Sequence, residues 1–166
     1  MKMLKNNILS IFIILSTCSC CGQSKEEAFI AQYEFEDLSQ FKGTHMFHRG
    51  KNKEGEVLIA FFAPSMQNKF DKIYFFNVFV KDSDNIKIVC NKDDTYYDTV
   101  YIVRLVNRFI DYKISALEVD TVGNVKIDIE LEDRALFKFA NENEKLKRSK
   151  EMKWFKIKGN WYKPKH

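Results

Sequence analysis

The sequence predicts an α+β domain: a curved antiparallel sheet of about seven to nine short strands packed on one long amphipathic helix, with a further helix at the N-terminal end. Three observations lead there. Runs rich in aromatic and β-branched residues recur along the chain, such as Ile73 to Val80. The pairs Gly123-Asn124 and Gly159-Asn160, which favour tight turns, each join two such runs. Midway, from Asp93 to Tyr112, the apolar spacing changes from alternating to helical.

Each element follows from local chemistry. Ser24 followed by Glu27 fits a capping box, and Ile30, Tyr33, Leu38 and Phe41 fall near helical spacing, so a helix is expected from Lys25 to Ser39. Gly43 to Gly50, the turn-like Lys51-Asn52-Lys53-Glu54-Gly55 and Val57 to Phe62 read as a hairpin ended by Pro64. Ile73 to Val80 and Ile86 to Cys90, separated by Asp82-Ser83-Asp84-Asn85, make a second hairpin. Asp93, Asp94 and Thr95 supply N-cap and first-turn chemistry for the long helix. On it Val100, Val103, Val106 and Ile110 share one face, with Arg104, Arg108 and Asp111 opposite.

Ile114 to Thr121 and Val125 to Leu131 form a third hairpin around Gly123-Asn124, with Val125, Ile127, Ile129 and Leu131 inward and Lys126, Asp128 and Glu130 outward. Ala135 to Ala140 is a further strand, and Asn141 to Lys150 a charged connection. Trp154 to Ile157 and Trp161 to Lys163 make a last hairpin around Gly159-Asn160. This closing Trp154-x-x-x-x-Gly159-x-Trp161-Tyr162 unit resembles the ending of small exported domains of the NTF2-like or cystatin-like kind, a resemblance confined to that hairpin.

Composition fits a folded body. An apolar content of 45% with 15 Phe and 7 Tyr supplies core, while only 6 Gly and 2 Pro argue against a disordered chain. Charge is unevenly spread: Lys145 to His166 carries nine Lys or Arg and one acid, whereas Gly22 to Glu144 carries 16 basic and 22 acidic residues. The basic end could favour anionic head groups or simply be a solvated face. No nucleic-acid module surrounds the lysines, and nucleic acid is not an expected partner.

The chain opens with Lys2 and Lys5, then the uncharged run Ile8 to Leu15, then Thr17-Cys18-Ser19-Cys20-Cys21-Gly22. The run is too brief to span a bilayer, and cysteines stand where a cleavage site should fall. This segment resembles a bacterial lipoprotein signal peptide. The resemblance implies removal of the leader, acylation of one cysteine, and a mature body tethered by lipid to a membrane of the cell envelope, facing the periplasm or exterior. The family pattern places Leu three residues before the acylated cysteine and a small residue just before it. Cys18 has Leu15 but also Thr17, whereas Cys20 has Ser19 but Thr17 in the Leu position; the resemblance thus implies Cys18 or Cys20 as the lipidation site, and Cys21 fits least. The organisation implied is residues 1–21 as signal and lipidation region, 22–25 as tether, and 26–166 as a single α+β domain. Cys90 is the only cysteine beyond the leader region, so no disulfide framework is expected within the domain.

Few residues suggest chemistry. His45 and His48, with Arg49 adjacent, could present two imidazoles to a metal on a helix, but on the expected strand they point to opposite faces, so they are weak metal candidates. Asp120, Asp128, Glu130 and Glu132 could bind a cation or act as an acid and base pair, yet alternation with Lys126 points to a solvent face. Nucleophile elbows, phosphate loops and dinucleotide glycine motifs are absent from the sequence, and no catalytic residue or cofactor is expected. The aromatic surplus means that both sheet faces are covered or that one presents a binding surface, since neighbours such as Phe75 and Phe76 must point to opposite sides. The sequence therefore favours a non-catalytic binding module that takes an envelope protein or a small amphiphile through its sheet. The alternatives are a small hydrolase-like enzyme with its site in the sheet concavity, and a protective lipoprotein that occludes a toxin.

Overall fold

A computed structural model of the chain describes residues 24–64, 73–90, 98–130 and 135–165. The proposed leader, Cys18 and Cys20, the paired Asp93 and Asp94, and Glu132 lie outside the described residues. The fold is α+β, with one open antiparallel sheet and three helices among the described residues. In chain order the elements are α1 (Lys25–Tyr33), a 3-10 turn (Ser39–Phe41), β1 (Thr44–Lys51), β2 (Val57–Pro64), β3 (Ile73–Val80), β4 (Ile86–Cys90), α2 (Thr99–Asp111), β5 (Ala116–Val119), β6 (Val125–Asp128), β7 (Ala135–Lys138), α3 (Glu142–Arg148), β8 (Trp154–Lys158) and β9 (Trp161–Pro164). The nine strands run β4-β3-β2-β1-β5-β6-β7-β9-β8 across the sheet. The long connection containing α2 returns the chain to pair β5 with β1.

Alternation along the strands sorts side chains between two faces. One face presents Met46, Ile59, Phe61, Phe76, Val78, Leu117, Ile127, Leu136 and Trp161, all buried, and these join Phe29 and Ile30 of α1 and Ile102, Leu105, Val106 and Phe109 of α2 in one core. Phe29 meets Trp161 edge-on at 6.0 Å between ring centres. Burial of so many large side chains, at about 1.5–3 kcal/mol each, drives the assembly.

The helices depart from expectation in instructive ways. α1 has the expected capping box, with Glu27 N donating to Ser24 Oγ at 3.1 Å and Ser24 N to Glu27 Oε2 at 3.2 Å. It ends at Tyr33 rather than Ser39, because Asp37 accepts the Ser39 N–H at 2.9 Å and folds that stretch into a turn. Leu38 and Phe41 still reach the core from there. α2 is not one long helix standing alone. It spans 13 residues and is capped by Asp98, whose carboxylate accepts from Tyr101 N at 3.0 Å. Its buried stripe is Ile102, Leu105, Val106 and Phe109; of the expected face Val106 is buried and Ile110 packs against the core, whereas Val100 is 79% exposed. Asn141 to Lys150 contains α3 instead of an irregular connection. Asn141 caps it through Glu144 N at 3.0 Å, and acidic residues in its first turn with basic ones in its last suit the helix dipole.

The connection between β5 and β6 is longer than a two-residue turn. Val119 pairs with Val125, leaving Asp120 to Asn124 as the loop, with Gly123 at φ +106. The Asp120 carboxylate gathers the N–H groups of Val122, Gly123 and Asn124 at 3.0, 2.8 and 2.8 Å. Asn124 is buried yet satisfied: it donates to Asp120 at 2.8 Å and Glu144 at 3.3 Å, and its carbonyl accepts from Ala140 N at 3.0 Å. Arg148 reaches Asp120 at 3.2 Å, so this polar knot fastens α3 to the sheet. Cys90 closes β4 half-buried against the core.

Candidate functional site

The second face of the sheet carries the aromatic surplus. In register across it lie Phe75 on β3, Phe62 on β2, His45 on β1, Glu118 on β5, Lys126 on β6 and Phe137 on β7. Two residues along each strand, the next row on this face reads Asn77, Ala60, Phe47, Ala116, Asp128 and Ala135. Bulky rings therefore flank a stretch whose floor is made by the small residues Ala116 and Ala135, and the missing side-chain volume leaves a groove of about 610 Å³. His45, Phe47, Lys126, Asp128, Phe137 and Met152 are among its lining residues, and none of the lining is fully buried.

The aromatic flank is continuous. His45 lies 5.3 Å from Phe47 and 5.8 Å from Phe62 between ring centres, and Phe62 lies 4.9 Å from Phe75. Beyond the groove Trp154 packs edge-on against Phe137 at 4.8 Å. Charges stand along the other flank: Lys126 is 3.6 Å from Asp128, and Glu130 pairs with Lys25 at the start of α1. Arg49 donates to Asn77 Oδ1 at 2.9 Å, which anchors the polar end of this face. An apolar floor beside a charged margin can accept a molecule with both apolar and polar parts.

Both histidines line the groove, but their rings have different neighbours. His45 stacks among the rings of the second face, whereas the His48 ring lies 5.0 Å from Phe109 of α2. Burial lowers the affinity of His48 for a proton below the usual imidazole range. Among the described residues no three His, Cys, Asp or Glu side chains converge as a metal site. Ser115, which also lines the groove, donates to the Ile129 carbonyl at 3.4 Å. The acidic residues singled out in the sequence divide: Asp128 and Glu130 line the groove, while Asp120 organises its loop from a distance. For Asp120, burial pushes the carboxyl pKa up, but hydrogen bonds from the Asn124 side chain and from the backbone of Asn124, Gly123 and Val122 outweigh it and hold the pKa down.

A second cleft of about 330 Å³ lies near Glu36, Lys42, Lys138 and Asn160. Beside it Glu36 pairs with Arg108 and accepts the Tyr112 hydroxyl at 3.0 Å, and burial followed by Glu36 pushes that phenol above its usual range. These contacts bind the segment after α1 to α2 and are structural. Sequence reasoning missed the groove because its defining residues, Ala116 and Ala135, are unremarkable until strand register sets them side by side.

No family model, curated protein or solved structure matches the chain. Among the described residues no helix is long and apolar enough to cross a membrane.

Proposed function

We propose that this chain is a bacterial envelope lipoprotein whose body is a non-catalytic binding module, and that the groove on the second sheet face receives a small amphiphile. The leader pattern, ending at Cys18 or Cys20, supports the tether. The groove carries the binding reading: its volume falls within the range of about 300–1,000 Å³ usual for small-ligand sites, and its floor of small residues lies between aromatic rings and paired charges. The curvature expected of such a sheet is part of this reading, since it would deepen the groove. The polar groups there are engaged in stacking, ion pairing or main-chain hydrogen bonds, which favours recognition over reaction. A fluorescent apolar probe, N-phenyl-1-naphthylamine, tests the site. Saturable fluorescence enhancement, abolished by Ala116→Phe with the fold retained, is expected. Enhancement that is absent, or unchanged in Ala116→Phe, refutes the groove as the binding site.

A further inference from the structure

The edge of the sheet opposite β4 has an unusual surface. β8 is the terminal strand there; Phe155, Lys156 and Lys158 are exposed along it, with Phe155 at 54%, and Lys153 is exposed just before it. Met152, two residues before the strand, is also exposed. Lysines on an edge strand guard against edge-to-edge pairing, which accounts for their presence but not for an exposed aromatic ring among them. Several cations in the surrounding segment are already neutralised: Lys145 pairs with Glu142, Lys147 with Glu144, Arg148 with Asp120, and Lys158 with Glu34 at 2.8 Å. Lys150, Lys153, Lys156, Lys163 and Lys165 have no carboxylate within ion-pair distance among the described residues, and Glu151 is the only acid within the segment from Lys145 onward. The Lys163 ammonium sits 5.5 Å over the Phe155 ring, and Lys165 N donates to the Lys153 carbonyl at 2.9 Å, which brings the two strands' lysines side by side.

We propose that this edge docks on an anionic lipid bilayer, with the uncompensated lysines at the head groups and Phe155 and Met152 entering the interface. Charge complementarity selects the partner: clustered lysines are attracted to an anionic surface, and exposed apolar side chains beside them gain by leaving water at the head-group boundary. A double-stranded nucleic acid would use the lysines but give Phe155 no apolar environment. The inference deepens the membrane-tether reading by orienting the body against the bilayer, yet it needs no acylation, so the two can fail separately.

The test uses the full-length, unacylated chain in vesicle co-sedimentation. Phosphatidylglycerol-containing vesicles should bind it more tightly than pure phosphatidylcholine vesicles, which also report any contribution of the leader, and raised salt should erase the difference. The Lys153→Glu, Lys156→Glu, Lys165→Glu triple variant should lower partitioning onto the anionic vesicles by at least about a hundredfold, since losing three lysines at roughly 1 kcal/mol each suffices for that and the new carboxylates add repulsion. A triple reversal of equal charge at Lys51, Lys53 and Lys81 should leave most of it. Phe155→Ser should weaken binding by about tenfold with the fold intact, since the ring is exposed. Equal binding to both vesicle types, equal loss in the two triple variants, or tighter binding to duplex DNA than to anionic vesicles at the same salt would overturn the proposal.

Discussion

Asn124→Asp is a change of one atom's identity, and its cost can be worked from contacts. The Asn124 amide donates to the Asp120 carboxylate at 2.8 Å, in a site where Asn124 itself is buried. Substitution deletes that charge-assisted hydrogen bond, worth about 2 kcal/mol, and sets a second carboxylate against the first. Two like charges at about 4 Å repel by some 4 kcal/mol at an effective dielectric constant near 20. Asp120 retains 28% side-chain exposure and an ion pair with Arg148, so water and that guanidinium screen part of the repulsion. A net loss of about 3–4 kcal/mol at neutral pH follows, a large share of the roughly 5–15 kcal/mol available to a domain. In equilibrium urea unfolding the midpoint should fall by about 1.5–2 M. The carboxylate neighbour raises the pKa of the new side chain in the folded state, so the deficit should shrink as pH falls from neutral towards about 4, where a protonated side chain can again donate to its neighbour. Parent-like stability at neutral pH, or a deficit indifferent to pH, would refute the assignment of this loop.

Three further outcomes follow from the same physics. Val100→Lys should leave stability within about 0.5 kcal/mol of the parent, whereas Leu105→Ala should cost about 2–5 kcal/mol, because the first faces solvent and the second is fully buried; thermal melts distinguish this from the reverse order. Burial depresses the His48 pKa, so the unfolded chain binds that proton more tightly and stability should fall as pH drops below the ordinary value of 6.5. Replacing it as His48→Leu should remove that part of the acid-side loss, and an unchanged stability curve between pH 5 and 7 would count against it. Gly123→Ala should destabilise, since φ is +106 and the new Cβ would stand 3.1 Å from Lys42 Cε; a rise in melting temperature would contradict the loop geometry.

The strands were the most legible part of the sequence. Ile73 to Val80 and Ile86 to Cys90 form strands with the expected limits, because dense β-branched and aromatic composition agrees with the paired geometry. Val125 and Ile127 point into the core as their alternation required. Helix limits were less legible, since side-chain capture decides them: Asp37 halts the N-terminal segment, and Asp98 is the cap found at the start of α2. The face of α2 was legible in part: Val106 and Ile110 meet the core as expected, but Val100 faces solvent although valine resembles a core residue in composition, and Ile102, Leu105 and Phe109 complete the buried stripe. α3 was hidden by its charges, for it buries no residue and is held by Asn124 and Asp120. Of the groove, His45 and the aromatic excess were visible beforehand. Its cavity was not, because Phe47, Ala116 and Ala135 become neighbours only across three strand pairings.

The tether is tested most directly by labelling growing bacteria with an alkyne fatty acid and following the chain's mass and acylation with and without globomycin, which blocks lipoprotein leader cleavage. The account predicts a shortened, labelled protein in untreated cells, precursor accumulation under the inhibitor, and no label in the Cys18→Ala, Cys20→Ala double variant. A full-length, unlabelled chain whose processing ignores the inhibitor would contradict it.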